Sequence, residues 1–178
     1  MIRAVGTDLD DLDLLEESIT DVTYEEVAFR NARFNCATLT AVTFVDCRFI
    51  GCNFFDASFS GCSLTGAVFE RCTYDGMRVD KGDWSFASLR GADLSGAEFI
   101  GVRMHEVDLS GASCDGALVR DCDLSGAVLA EADFTRCDLR GSVLTAFDAR
   151  TVALRDAIIT DEQAVDLAIG LGLSVRPA

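Results

Sequence analysis

From Leu9 to Ile159 an apolar residue returns at every fifth position, thirty-one times in one register and without an insertion. With each such residue taken as the centre i of a five-residue unit, the centres are mostly large, as in Phe29, Phe34, Leu39, Phe44, Phe49, Phe54 and Phe59 or Leu124, Leu129, Phe134, Leu139 and Leu144. At i−2, twenty-four of the thirty-one residues are Ala, Cys or Val. Twelve of the fifteen glycines fall at i+2, where a chain that turns every five residues needs permissive dihedrals. Of the twenty-seven acids between Asp8 and Asp156, none is a centre and only Glu17 stands at i−2. The polar positions i−1, i+1 and i+2 therefore face water.

A helix repeats its faces every 3.6 residues and a strand every 2, so neither accounts for a period of five. A square coil does. Four units make one turn, each side turns a large and a small residue inward, and no unit can bury its apolar face without neighbours stacked on it. Coils joined by main-chain hydrogen bonds sit about 4.8 Å apart, so nearly eight of them predict a rod of roughly 37 Å. Columns of core residues then follow at twenty-residue spacing, such as Phe29, Phe49, Phe69, Leu89 and Leu109. The period divides the chain into an amino-terminal cap at 1–8, a solenoid at 9–159 and a tail at 160–178. Two local breaks stand out. Phe147 at i−2 with Ala149 at i inverts large and small, and Met77, Gly82 and Trp84 together predict a bulge in the stretch 75–83.

The units Ala92-Asp93-Leu94-Ser95-Gly96 and Cys122-Asp123-Leu124-Ser125-Gly126 resemble the A(D/N)LxG consensus of the pentapeptide-repeat proteins. The resemblance implies an all-β fold, a right-handed quadrilateral parallel β-helix, here followed by a short carboxyl-terminal helix. Size, absence of loop insertions and the tail from Thr160 to Ala168 are most similar to the fluoroquinolone-resistance branch of that family, the mycobacterial MfpA type to which the loop-bearing Qnr proteins are related. That likeness implies a non-catalytic protein that binds DNA gyrase, inhibits supercoiling and protects the enzyme from quinolones.

Candidate chemistry is sparse. Six of the eight cysteines, Cys47, Cys52, Cys62, Cys72, Cys122 and Cys137, occupy the small inward position, Cys114 replaces a centre, and only Cys36 is expected outward. Cys52 and Cys72 stack one coil apart and are expected to remain thiols in a cytoplasmic setting. There is no C-x-x-C, and the lone histidine, His105, lies outward beside no cysteine cluster, so no metal is expected. One imidazole on a convex rod offers no hydrolytic triad, and the glycines never form a phosphate-cradling loop. No enzyme activity and no cofactor are expected. With no apolar amino-terminal segment and no eighteen-residue apolar run, the protein is expected to be cytoplasmic and away from membranes.

The net charge of −15 argues against direct nucleic-acid binding, which needs a basic footprint, and favours a basic protein partner. Acids outnumber bases nine to one in residues 1–26 and fifteen to six in 93–166, whereas 27–92 is near neutral, with six against seven. One side of the coil, centred on Leu14, Phe34, Phe54, Tyr74, Leu94, Cys114, Phe134 and Leu154, holds eight outward acids and three bases, with Asp56, Asp75, Asp93, Asp115 and Asp133 forming a stripe. The opposite side carries Glu25, Glu26, Asp46, Asp83, Glu106 and Asp123. Regularly spaced carboxylates on a rod imitate the phosphates of a duplex to a protein that grips DNA by its backbone. The alternative is an acidic scaffold with an unrelated partner.

After Ile159 the period ends. Thr160 and Gln163 predict a capping box, Asp161 and Glu162 suit a helix start, and Gly170 or Gly172 its stop. Ala164, Val165, Leu167, Ala168, Ile169, Leu171 and Leu173 are expected to plug the last coil and, by similarity to the MfpA type, to join a second copy into a twofold dimer.

Overall fold

The computed structural model describes residues 2–176, so the first residue of the expected cap and the last two of the expected tail lie outside the described residues. Every strand pairing and every isolated bridge is parallel and joins residues twenty apart. Because four columns of such pairs run through the chain at five-residue offsets, one coil has four sides. Face I begins with strand Ile2–Val5 paired to Val22–Glu25 and then Thr43–Val45, and continues as bridges from Ser63 to Val143. Face II stacks the strands Asp8–Asp10, Ala28–Arg30, Arg48–Ile50 and Val68–Glu70. Face III is held by isolated bridges alone, including Asp93↔Ser113↔Asp133. Face IV is the longest ladder, from strand Ser18–Thr20 through Leu118–Arg120 and on to Ile158.

The core is a column of side chains. Phe29, Phe49 and Phe69 stack with centroids 5.0 and 4.9 Å apart, and Trp84 continues the pile on Phe69 at 5.6 Å and 3°. Beyond Phe99 leucines take over, as at Leu109, Leu124, Leu129 and Leu139, all buried. Small residues at i−2 fill the angles between the large ones: Ala32, Ala37, Cys47, Cys62 and Ala97 have no exposed surface.

From Gly6 to Gly141 each corner is made at i+2, where φ is positive whether the residue is glycine, as at Gly96 (φ 74), or not, as at Glu16 (φ 61) and Phe86 (φ 60). On many sides the i+3 amide donates back to the carbonyl of the centre, for example Ala97 to Leu94 at 2.9 Å. A positive φ at the third residue of a four-residue turn is the type II requirement. For residues other than glycine this left-handed backbone costs about 1–2 kcal/mol.

Both expected irregularities resolve in one manner. Phe147 is buried and its ring lies 5.0 Å from Phe134, whereas Ala149 is exposed, so the inverted pair keeps the interior filled. The bulge expected at 75–83 is absent: Arg78 pairs with Glu98, and Ser63, Asp83 and Arg103 bridge in unbroken register. Volume explains it. Trp84 at the large position accompanies Gly82 at the small one, and the Gly82 backbone approaches Cys62 of the coil before it. The irregularity is absorbed by side-chain size rather than by an extra residue.

The tail forms helix α1, Asp161–Gly170, capped as the sequence predicts: the Thr160 hydroxyl accepts from the Gln163 amide, and the Gln163 side chain accepts from the Thr160 amide. Gln163 also donates through Nε2 to the carbonyls of Leu139 and Ser142, both at 2.7 Å, which closes the end of the solenoid.

Candidate partner-binding surface

The acids at i−1 have a structural cause. In Asp83, Asp93, Asp108, Asp123, Asp133, Asp138 and Asp148 the carboxylate accepts the backbone N–H two residues on, at 2.8–3.3 Å. This is an Asx turn, which suits a chain bending at every unit. The bond uses one oxygen and leaves the charge at the surface.

Face III carries the stripe. Asp93 and Asp133 lie in one column with Ser113 between them. Asp75 and Asp115 occupy the parallel i+1 column, and Asp56 sits at a corner with φ 51. Two of the five are neutralised within the fold. Arg78 donates to Asp56 at 2.8 Å, and Arg136 grips Asp115 with two parallel bonds at 2.9 and 2.5 Å, which holds the Asp115 carboxyl below its usual range. Asp75, Asp93 and Asp133 make no ion pair among the described residues. Asp115, Asp133, Thr135, Arg136, Arg155 and Asp156 line a depression of about 290 Å³ on this face.

Face I, directly opposite, presents Asp83, Glu106 and Asp123. Arg103 approaches Asp83 at 3.8 Å, and His105 bridges two coils, with Nδ1 2.9 Å from Ser125 Oγ and Nε2 3.1 Å from Glu106. The Ser125 hydroxyl donates to Asp123, and this bond with the Ser125 amide lowers the Asp123 pKa. Carboxylate, imidazole and hydroxyl are thus adjacent, but the serine proton is directed to Asp123 and not to the imidazole. A nucleophile–base pair needs the opposite arrangement. The pairs Asp115–Arg136 and Glu70–Arg48 escaped sequence reasoning because the partners lie 21 and 22 residues apart, on a diagonal between columns, unlike Asp13–Arg33, which share one column.

The eight thiols are free, and burial pushes Cys47 and Cys122 up to about 11 and Cys137 to about 12. Cys36 is not alone in reaching the surface, as expected from its register, because Cys72 is also half-buried. Among the described residues no cluster of three His, Cys, Asp or Glu side chains is placed to hold a metal ion, and no helix is long and apolar enough to cross a membrane. In the tail, Leu167 packs on the core while Val165, Ile169, Leu171 and Leu173 are exposed. Ala164 is exposed as well, and Ala168 is half-buried.

A four-sided stack of five-residue units with a turn at every i+2 is matched by two family models, a pentapeptide repeat region over residues 17–99 and pentapeptide repeats in eight copies over 108–145. The chain belongs to the pentapeptide-repeat family. A search of the curated proteins finds no match. Among solved structures, two trypsin-treated variants of the plasmid-mediated fluoroquinolone resistance protein QnrB1 are similar. One is 23% identical with a TM-score of 0.57 and 98% of each chain covered. The other is 21% identical with a TM-score of 0.54 and 99% of each chain covered. At these identities the likeness establishes the pentapeptide-repeat fold.

Proposed function

We propose that this pentapeptide-repeat protein is a non-catalytic, cytoplasmic DNA mimic that occupies the DNA-binding surface of DNA gyrase, inhibits supercoiling and protects the enzyme from fluoroquinolones. The observation that carries the reading is the stripe of Asp75, Asp93 and Asp133, carboxylates held at coil-set intervals on a rigid face and unpaired by neighbouring cations among the described residues. A stack whose exterior repeats a fixed negative charge competes for guanidinium and ammonium groups arranged to receive phosphates. QnrB1, a plasmid-mediated fluoroquinolone resistance protein, shares the fold and supports this choice of partner. The exposed tail residues supply the self-association surface, giving a homodimer with acidic carboxyl-terminal halves at its centre.

The test is gyrase supercoiling with micromolar protein, with and without ciprofloxacin. Inhibition and drug protection are expected from the native chain. The triple variant Asp75→Asn, Asp93→Asn, Asp133→Asn removes three charges while an amide oxygen can still accept the turn hydrogen bonds. It is expected to weaken inhibition by about tenfold or more, on the scale of charged contacts at interfaces. A native chain without effect on gyrase would leave an acidic scaffold for another partner.

A further inference from the structure

Phe86 is the one aromatic residue at a corner. The other positive-φ positions outside glycine hold Asp, Glu, Asn, Arg, Lys, Cys or Ala, and a bulky residue there is unusual. The residue is 53% exposed, more than any other aromatic residue among those described. It is nevertheless supported: His105, one coil on, meets it edge to face at 5.9 Å, and His105 is tied in turn to Ser125 and Glu106. Ser85, outward by register, is buried beside them in sequence. On the preceding coil the same corner is Gly66, which has no side chain to cover the ring. Around it, the outward residues of face I from Thr23 to Ser125 carry six carboxylates against Arg103 and His105.

We infer that Phe86 and the neighbouring carboxylates of face I form a second contact for the basic protein partner, with an arginine side chain of that partner laid against the Phe86 ring and its charge met by Glu106 and Asp83. An aromatic face attracts a guanidinium, and desolvating the pair inside an interface strengthens it. Aromatic anchors surrounded by polar contacts carry a large share of interface energy. The His105 contact orients the side chain yet leaves it open to a partner, at a left-handed corner that rarely accepts a bulky residue. The inference rests on the proposed function and adds a second contact, on the face opposite the stripe of Asp75, Asp93 and Asp133.

The experiment compares binding of the native chain, Phe86→Gly and Ile100→Ala to purified gyrase by surface plasmon resonance, with melting temperatures measured alongside. Ile100 is the control, an exposed apolar residue on face IV with ordinary backbone, away from both face I and face III. Phe86→Gly is expected to weaken binding by about tenfold or more while its melting temperature stays level or rises, because glycine takes the positive φ freely. Ile100→Ala is expected to bind as the native chain does. Native-like binding by Phe86→Gly, or a loss confined to Ile100→Ala, overturns the inference and leaves the proposed function standing. A native chain that does not bind gyrase overturns both.

Discussion

Gly82 stands so close to Cys62 of the preceding coil that a side-chain carbon on it would overlap the Cys62 carbonyl oxygen and lie 2.9 Å from the Cys62 nitrogen. Its φ of 98 is also the most positive among the described residues. Gly82→Ala is therefore expected to cost more than about 2 kcal/mol, since backbone cannot yield as a flexible side chain does. Gly91, with φ 64 and nothing within 4 Å of an added carbon, is expected to lose only about 1 kcal/mol on the same change. Urea unfolding of the two variants checks the difference, and equal losses would contradict it.

The closing device at the other end makes a second prediction. Gln163 is buried, completes the capping box and satisfies the Leu139 and Ser142 carbonyls. Gln163→Leu keeps the volume but strands the Ser142 carbonyl and breaks the capping box, while Leu139 still accepts from the Ser142 amide, so it is expected to cost about 2–3 kcal/mol. Hydrogen exchange is expected to rise first at the last coil, around Leu139 to Leu144.

Acid and alkali act on different groups. Arg136, Arg140 and Arg150 hold the carboxyls of Asp115, Asp138 and Asp148 below their usual range, Asp148 at about 2. A depressed carboxyl contributes stability above the unfolded value, near 4, that disappears as pH falls through the folded value. Melting temperature should therefore drop between pH 4 and pH 2, and Asp148→Asn should shrink that drop. Buried Cys47, Cys122 and Cys137 work in the opposite direction: raised to about 11, 11 and 12, they favour folding below the ordinary thiol value of 9.0, and that contribution fades as pH climbs toward 12. Serine at these three positions should shift the alkaline midpoint.

The tail should be separable from the rod. Ile169 and Leu173 are 56% and 60% exposed, so glutamate at both leaves the packed side of α1 untouched. Light scattering is expected to show a monomer for this variant and a dimer for the native chain, with unchanged melting of the repeat region. A native monomer would remove the proposed self-association.

The four-sided stack, its core and the helix cap are legible in the residues alone, because each is written in short-range order: a residue such as Phe49 is large, apolar and five from the next, and Thr160 is three from Gln163. Local spacing dictates which way a side chain points, and twenty-residue spacing dictates what it rests on. Tertiary structure alone decided which carboxylates stay unpaired. Asp115 and Asp93 read alike as outward acids, yet Arg136 reaches diagonally across coils to the first and leaves the second bare. It also decided that Gly82 and Trp84 compensate without a bulge, and that Phe86 stands open beside His105. These outcomes depend on side-chain reach and on the volume left by neighbours one coil away, quantities that no residue carries until the coils are stacked.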